Sequence, residues 1–513
     1  MTAPLRDSIK TLRNVAIVAH VDHGKTTLVD KLLRQSGTLD ERGDLSERVM
    51  DSGDIEKERG ITILAKNTAI KWDAPDGTQW RINIVDTPGH ADFGGEVERV
   101  LSMVDSVVLL VDAVEGPMPQ TSFVTKKALA QGLKPIVVVN KIDRVGARPD
   151  WVVDQTFDLF DRLGATDEQM DFPVVFASAI NGWASNESDV EGTDMTPLFQ
   201  AMVDHTPLPD VDPDGPLLLQ ISALDYSSYT GVIGIGRVVR GSLTKGQQVQ
   251  VVAPNGVTRK GKILQPYGFL GLDRIEMDAV NAGDIACFTG IDRLGISDCI
   301  CDPSKVEQLP ALSVDEPTIS MTFQVNNSPF AGREGKYVTS RNIGDRLQKE
   351  LIHNVALRVQ PLDDPDKFRV SGRGELHLSI LIENMRREGY ELAISRPQVI
   401  NKTIDNVLCE PWEVLTIDVE TDHQGAIMEK LGERKGMLKD MVPDGKGRVR
   451  LDYEIPTRGL IGFRSEFLTT TSGSGLMYHV FDRYAPRVGG VIARRAKGVL
   501  ISKHTGTAVA FAL

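Results

Sequence analysis

The stretch Ala19-His20-Val21-Asp22-His23-Gly24-Lys25-Thr26 decides the fold of the first part of this 513-residue chain. It follows an apolar run at residues 15–18 and precedes a stretch with helical spacing at residues 27–33. A strand, a loop and a helix that starts at Gly-Lys-Thr are typical of a phosphate-binding loop, whose backbone N–H groups point at phosphate oxygens. In such a loop Lys25 would reach the β- and γ-phosphates, and the Thr26 hydroxyl would hold Mg²⁺.

Short apolar runs rich in Val and Ile recur through the first 207 residues, with helical patterns between them. The runs do not alternate with polar residues, which favours strands buried on both faces of a parallel sheet. Ligands of such sheets bind at the carboxyl ends of the strands. The predicted strands are residues 15–19, 80–85, 107–111, 135–139 and 173–177.

The second of these runs leads into Asp86-Thr87-Pro88-Gly89-His90. An acidic residue at a strand end beside a phosphate loop can hold Mg²⁺ through water, so Asp86 is a candidate metal residue. Gly89 can bring its backbone N–H to the γ-phosphate. His90 then stands where an attacking water would sit.

The fourth run leads into Asn140-Lys141-Ile142-Asp143. The Asp143 carboxylate can accept hydrogen bonds from the N1 and N2 donors of guanine, which adenine lacks, and a buried polar match of this kind discriminates strongly. After the last run, Ser178 and Ala179 would contact the guanine O6 through backbone N–H groups. Together these motifs predict a guanine-nucleotide site at one edge of the sheet.

A polar stretch at residues 37–57, followed by Arg59-Gly60-Ile61-Thr62-Ile63, lies between the phosphate loop and Asp86. It has little core-forming content, so it is a candidate switch that becomes ordered when Thr62 reaches Mg²⁺ and the γ-phosphate. A plain surface loop is the alternative interpretation.

These four motifs, at residues 19–26, 59–63, 86–90 and 140–143, together resemble the translational GTPases, the family of the elongation factors. The resemblance implies that His90 positions the hydrolytic water. It also implies that Val21 and Ile61 form an apolar gate that keeps this water away until the ribosome acts. In that family ribosomal RNA completes the site, and no arginine finger is used.

The rest of the chain predicts three further folded parts. Short alternating strands with Gly turns at residues 217–301 predict a closed antiparallel β-barrel. Residues 317–396 and 411–482 each alternate strands and helices in the order of a ferredoxin-like plait. The predicted fold class is thus multidomain α/β and β. It comprises a P-loop GTPase domain at 1–207, a β-barrel at 213–305, ferredoxin-like α+β domains at 313–397 and 400–482, and the start of a C-terminal domain at 483–513.

Motifs in the two plaits narrow the resemblance. Ser371-Gly372-Arg373-Gly374-Glu375-Leu376-His377-Leu378 resembles domain III of elongation factor G, but residues 400–411 leave no room for the large domain that follows in that factor. Glu410-Pro411-Trp412-Glu413 and the stretch from Pro456 to Arg464 are similar to domain V of the BipA (TypA) branch. Members of that branch carry a further domain after the position of Gly489-Gly490. We therefore expect the C-terminal domain to be truncated at Leu513.

The resemblance implies a GTPase that is stimulated by the ribosome and takes part in large-subunit assembly and stress adaptation. Its implied partners are the ribosome, its subunits and ribosomal RNA, while tRNA and guanosine tetraphosphate stay open. The implied cofactor is Mg²⁺, held by Thr26, Thr62 and Asp86. The implied GTP-binding residues are Asp22, His23, Gly24, Lys25, Thr26, Thr27, Asp86, Gly89, Asn140, Lys141, Asp143, Ser178 and Ala179. The alternatives are a LepA-like factor, a tRNA carrier like elongation factor Tu, and a stand-alone guanine-nucleotide sensor.

Composition and charge fit this interpretation. No apolar stretch approaches the ~18 residues of a membrane span, and the N-terminus lacks an apolar signal core, so we expect a cytoplasmic monomer without membrane contact. Its four cysteines lack the paired spacing of a zinc site. The net charge of −13 lies in residues 1–210, which hold 21 Lys and Arg against 34 Asp and Glu, whereas residues 211–513 hold 37 of each. Residues 483–513 contain six Lys and Arg and no Asp or Glu, which makes them either a candidate phosphate-contacting segment or a solvated tail.

Overall fold

The chain divides into two compact units, Met1–Arg396 and Pro397–Leu513. The computed structural model describes residues 8–38, 54–59, 62–63, 65–88, 94–227, 229–312, 316–329, 331–354, 356–443, 447–490 and 492. None of the helices in these ranges is both long enough and apolar enough to cross a membrane.

A seven-stranded sheet organises the first domain, in the order β2-β3-β1-β4-β5-β6-β7. The five inner strands are parallel, as the apolar runs predict, and every residue of β1 and β4 is buried. The antiparallel edge strands β2 and β7 were not predicted. The strands are β1 Leu12–Ala19, β2 Lys66–Asp73, β3 Gln79–Asp86, β4 Ser106–Asp112, β5 Lys134–Asn140, β6 Val174–Ser178 and β7 Trp183–Ser185.

Helices cover both faces of this sheet and bury a separate core on each. Leu28 and Leu32 of α1 pack in one core, and Val97 of α3 and Phe160 of α5 pack in the other. Because both faces are covered, the loops at the carboxyl edge are the accessible part of the sheet. The helices are α1 Lys25–Gln35, α2 Asp54–Arg59, α3 Gly94–Leu101, α4 Pro119–Ala130, α5 Pro149–Arg162, α6 Asp167–Met170 and α7 Thr196–His205.

The predicted barrel is an antiparallel sheet of eight strands, in the order β12-β11-β17-β8-β9-β16-β13-β14, with a ribbon of β10 and β15. Its strands share one core that includes Val238, Val249 and Phe288. Among the described strands β12 and β14 do not pair with each other, so the core and not a closed hydrogen-bond ladder holds the barrel together. The strands are β8 Leu218–Ser227, β9 Gly231–Arg240, β10 Ser242–Thr244, β11 Gln248–Val252, β12 Thr258–Lys262, β13 Gln265–Leu270, β14 Asp273–Glu276, β15 Ala279–Asn281, β16 Ile285–Thr289 and β17 Cys299–Cys301.

The third domain of the first unit is a ferredoxin-like plait, as predicted, with the sheet order β19-β20-β18-β21. Phe323, Leu347, Val370 and Leu381 form its core. A cavity of about 790 Å³ lies where the GTPase domain, the barrel and this plait meet, and Glu96, Arg99 and His377 are among its lining residues. The elements are β18 Ile319–Val325, α8 Ser340–His353, β19 Arg358–Pro361, β20 Lys367–Gly372, α9 Glu375–Arg387 and β21 Leu392–Ile394.

The second unit contains the other predicted plait. The long strand β24 pairs with β26 and with β27, and β25 lies at the edge beyond β26. Strand β27 continues past the predicted boundary at residue 482, so Arg483 belongs to the sheet. Gly462, at φ 73°, separates the two short helices α11 and α12. Strand β22 Gln398–Val399 is not part of this sheet. The other elements are β23 Lys402–Ile404, β24 Val407–Glu420, a 3-10 turn Thr421–His423, α10 Gln424–Glu433, β25 Met437–Pro443, β26 Arg448–Pro456, α11 Thr457–Leu460, α12 Phe463–Thr470 and β27 Leu476–Pro486.

Candidate active site

The phosphate-loop motif forms the connection between β1 and α1. Two of its residues have left-handed backbone conformations, Asp22 at φ 66° and Gly24 at φ 94°. Gly24 accepts the first hydrogen bond of α1, from the Leu28 amide at 2.9 Å. A Cβ atom at Gly24 would lie only 2.6 Å from Asn140 Nδ2, so both the conformation and the close approach require glycine here.

Asn140 ties three loops of the site together. Its Nδ2 donates to the His23 carbonyl at 2.8 Å, and its Oδ1 accepts from the Ala179 amide at 2.9 Å. The side chain is buried, so these bonds are not shared with bulk water. The predicted guanine motif and the Ser178-Ala179 loop are thus brought beside the phosphate loop. Because the Ala179 amide has Asn140 as its partner here, its contact with the guanine O6 stays a prediction.

Lys141 connects the guanine motif to the phosphate loop a second time. Its Nζ donates to the Asp22 carbonyl at 2.6 Å and lies 2.8 Å from Asp112 Oδ2. The Lys141 backbone is in the left-handed region, at φ 64°. Asp143, the predicted guanine reader, is exposed on the same loop and therefore accessible to a ligand.

Lys25 and Asp86 form a buried ion pair at the end of β3. Lys25 Nζ lies 2.7 Å from Asp86 Oδ1, with the two side chains 8% and 1% exposed, and Lys25 also donates to the Thr87 carbonyl. These are the two groups predicted for phosphate and for Mg²⁺. A buried carboxylate beside the hydroxyl-bearing first turn of α1, which contains Thr26 and Thr27, fits the oxygen ligands that Mg²⁺ prefers.

The His23 side chain points into the domain, so the predicted contact of His23 with the nucleotide stays a prediction that concerns its backbone. The ring is fully buried, and its Nδ1 accepts from the Asp112 amide at 3.3 Å. Its Nε2 lies 3.4 Å from Glu115 Oε2, and the hydrogen bond from His23 lowers the pKa of Glu115. Because the ring is enclosed by these partners, only the His23 backbone is left for nucleotide binding.

The described part of the predicted switch is structured, because it packs against the first plait. Ile55 and Ile63 form an apolar cluster with Leu376 and Ile380 of α9. Glu56 is buried, and its Oε1 accepts from the Ile63 amide at 2.9 Å. Thr62, which is 7% exposed, therefore lies in a segment that contacts Glu56 on one side and α9 on the other.

A bidentate ion pair extends this contact to the end of α9. Arg387 Nη1 and Nη2 lie 3.0 Å and 2.5 Å from the two carboxylate oxygens of Glu58. Sequence reasoning missed both α2 and this pair, because Glu58 and Arg387 are far apart in the chain. The isoleucines at 55 and 63, within and just after a polar run, were the only signal of a packed face.

Three predicted residues lie outside the described residues, namely Ile61, Gly89 and His90. Val21 is half-buried within the phosphate loop, but its partner in the predicted gate is Ile61. The arrangement of the gate and of the water-positioning histidine therefore stays a prediction.

Models of three protein families match the chain. The elongation factor Tu GTP-binding domain matches residues 10–208, the elongation factor Tu domain 2 matches residues 231–301, and the elongation factor G C-terminus matches residues 407–495. A crystal structure of a protein from Thermus thermophilus superposes with a TM-score of 0.63 over 93% of this chain and 97% of that chain. Its sequence is 17% identical, so it shows the fold alone.

Curated relatives match almost the whole chain. The large ribosomal subunit assembly factor BipA of Escherichia coli K12 is 67% identical over 98% of this chain and 82% of its own length. The proteins of the same name from Haemophilus influenzae and Buchnera aphidicola are 65% and 56% identical, each over 98% of this chain and over 81% and 82% of their own lengths. These matches do not favour any of the three alternatives, which were a LepA-like factor, a tRNA carrier and a stand-alone nucleotide sensor. With its phosphate loop, guanine motif and two plaits in the order described, the chain belongs to the BipA family of translational GTPases.

Proposed function

We propose that this chain is a ribosome-associated GTPase that acts in the assembly of the large ribosomal subunit. The observation that carries the proposal is the Asn140 side chain, which joins the phosphate loop to the two loops predicted to bind the guanine base. The same role is named for relatives that are 67% identical to this chain. The reaction converts GTP and water to GDP and phosphate.

Each residue of the site has a distinct task in this proposal. Lys25 and the loop amides bind the phosphates, as in other P-loop enzymes. Asn140 and Asp143 select guanine. Thr26, Thr62 and, through water, Asp86 would hold Mg²⁺, whose chemistry when bound is to neutralise charge on the phosphate oxygens. His90 orients the attacking water, and Val21 and Ile61 exclude it until the ribosome acts.

The proposal extends to partners that belong to the same function. Ribosomal RNA is the surface on which the protein acts, in the cytoplasm and as a monomer. tRNA and guanosine tetraphosphate are further ligands in this proposal, and a role in stress adaptation would follow from the second. The neutral charge balance of residues 211–513, against −13 for residues 1–210, supports contact with RNA through the later domains.

The first test is GTP turnover by the purified chain with and without intact ribosomes. We expect ribosomes to raise turnover, and a rate that ribosomes leave unchanged would contradict the ribosome-dependent reaction. The His90→Ala variant should lose about 10²- to 10⁴-fold in stimulated turnover, the range for a lost acid–base or water-orienting group, while still binding GDP. Loss of GDP binding instead would contradict the role of His90.

A second test addresses subunit assembly. Cells that lack the protein should accumulate precursors of the large subunit, as measured by sedimentation of cell extracts. Expression of the unsubstituted chain should restore the normal profile and the His90→Ala variant should not. If both chains restored the profile equally, the role in assembly would not require GTP hydrolysis.

A further inference from the structure

Asp112, the last residue of β4, lies between the phosphate loop and the guanine motif. Its carboxylate is fully buried. Oδ2 lies 2.8 Å from Lys141 Nζ and 3.3 Å from Arg144 Nη1. The Asp112 backbone N–H donates to His23 Nδ1, so one residue contacts both nucleotide-binding loops.

We infer that Asp112 is a positioning residue for nucleotide binding, which fixes the Lys141 side chain between the guanine motif and the phosphate loop. The inference rests on the proposed function, because it concerns the same nucleotide site. Asp112 does not itself contact the nucleotide in this role.

The Lys141 side chain needs such a partner. A lysine stem has four rotatable bonds, and holding it in one conformation costs entropy unless its ammonium group is bound on more than one side. Here the ammonium group is bound by Asp112 on the side of β4 and by the Asp22 carbonyl on the side of the phosphate loop. Lys141 is flanked in the chain by Asn140 and precedes Asp143, so fixing it also fixes the loop that selects the base.

The electrostatics of the site agree with this arrangement. Burial acts to raise the pKa of Asp112, but the hydrogen bonds from Lys141 and the Val114 amide outweigh burial and lower that pKa. The carboxylate is therefore charged at neutral pH. The carboxylate is fully buried and the Lys141 side chain is 25% exposed, so water competes for this pair less than for a surface ion pair.

Asp112 also has a purely structural contact, which the test must separate from the proposed one. Its Oδ1 accepts from the amides of Val114 and Glu115, at 2.7 Å and 3.3 Å, and closes the turn after β4. The Asp112→Asn substitution keeps an oxygen for this turn but removes the negative charge that Lys141 pairs with. It therefore tests the ion pair and spares the turn.

The experiment measures dissociation constants and dissociation rates of fluorescent GDP and GTP. We expect Asp112→Asn to weaken both nucleotides about tenfold to hundredfold, the loss for a buried charge-assisted hydrogen bond. Both should weaken equally, because Lys141 belongs to the motif predicted to bind guanine, which GDP and GTP share. The ribosome-stimulated rate at saturating GTP should stay within about twofold of the unsubstituted chain, so that KM rises and kcat does not.

Asp105→Asn is the matched control, because Asp105 lies immediately before the first residue of the same strand. The Asp105 carboxylate is also paired, with Arg237 at 2.7 Å, and it accepts from Asn14 Nδ2 at 2.9 Å. This substitution should lower the unfolding temperature and leave the nucleotide dissociation constants unchanged. A loss of affinity equal to that of Asp112→Asn would show a general effect of destabilisation and overturn the inference.

A double-mutant cycle with Lys141→Met completes the test. If Asp112 acts through Lys141, Asp112→Asn should add less than about twofold to the defect of Lys141→Met. The double variant leaves no lysine without its partner, so it reports on the inference even if Asp112→Asn alone folds poorly. Fully additive defects would overturn the inference, as would unchanged affinity in Asp112→Asn. Failure of the unsubstituted chain to bind guanine nucleotides would overturn the proposed function itself.

Discussion

At the scale of single residues, the chemistry of the site was easier to predict than the direction of its side chains. Lys25, Asp86, Asn140 and Lys141 meet at the carboxyl edge of the sheet, as strand-end positions require. The inward direction of His23 could not be predicted, because it depends on Asp112 and Glu115, which are distant in sequence. The spacing of a motif predicts its backbone geometry, whereas the direction of a side chain such as that of His23 depends on partners that are distant in sequence.

Glu96 provides a prediction of pH dependence at this scale. It lines the cavity between the three domains of the first unit, and burial raises its pKa above the ordinary value of 4.5. Ionisation therefore favours the unfolded state, and the free energy of unfolding should fall as pH rises from about 4.5 through the raised pKa. The Glu96→Gln variant keeps an acceptor for the Ala65 amide, which lies 3.3 Å from Glu96 Oε2. In this variant the free energy of unfolding should depend less steeply on pH.

The measurement is the unfolding temperature between about pH 5 and pH 8, and equal slopes in the two proteins would contradict the prediction. Glu383→Gln is the control, because the pKa of Glu383 is shifted in the opposite direction. Hydrogen bonds from Arg386 and Arg387 lower the pKa of Glu383 to about 2. Its contribution is present above about pH 4.5 and is lost as pH falls through about 2, so this variant should keep the slope between pH 5 and pH 8.

At the scale of helices and strands, buried elements were predictable and edge elements were not. The inner strands β1 and β4 are continuous Val and Ile runs, because both of their faces are covered. Strands β19 and β25 were missed. Every residue of β25 is exposed, so its sequence carries no burial pattern and only its partner β26 defines it as a strand. The short helix α2 was missed for a related reason, since its apolar face is completed by α9.

The ion pair between α2 and α9 can be tested by charge reversal. Arg387→Glu would bring a third carboxylate next to Glu58 and Glu383, so α2 should loosen from α9. We expect hydrogen exchange of residues 54–59 to become about two- to fivefold faster, as for other surface ion pairs. Adding Glu58→Arg to this variant should restore slow exchange.

Arg386→Glu is the control for this charge reversal. Arg386 is adjacent in α9, and its described partner is Glu383 rather than Glu58. Exchange of residues 54–59 should be unchanged in this variant. Equally fast exchange in the Arg386 and Arg387 variants would mean that helix stability, and not the contact with Glu58, controls the segment.

At the scale of the whole molecule, the division into two compact units predicts separate unfolding transitions. The sequence located the two plaits but not where the second one ends, because no residue of β27 is fully buried and the strand is defined by its pairing with β24. The two BipA-type motifs of this unit are joined in the structure, because Glu410 of one motif contacts Arg458 of the other. Glu410 is fully buried, pairs with Arg458 and accepts from the Val488 amide at 2.9 Å.

Arg458→Ala should destabilise the second unit alone. It leaves a buried carboxylate without its cation, which costs about 3–5 kcal/mol. It also removes the hydrogen bond that Arg458 donates to the Val488 carbonyl, so residues 487–490 should exchange faster. Calorimetry should show one transition shifted to lower temperature, while GDP affinity stays unchanged.

The control is Arg483→Ala in the same unit. Arg483 is 48% exposed and pairs with Glu454 at 2.9 Å, so its loss should cost less than about 1 kcal/mol. A fall in GDP affinity in the Arg458 variant, or equal shifts of both transitions, would show that the two units do not unfold independently.

The buried pair of Lys25 and Asp86 has a consequence for the form in which nucleotide is accepted. The two side chains compensate each other's charge at 2.7 Å, so neither can be separated from the other without a replacement partner. Lys25 would exchange Asp86 for a phosphate, and Asp86 would exchange Lys25 for the cation that accompanies that phosphate. A nucleotide without its cation would give Lys25 a new partner but would leave Asp86 without one. We therefore expect the loop to bind the metal complex of GTP more tightly than GTP without a metal, before any bond is broken.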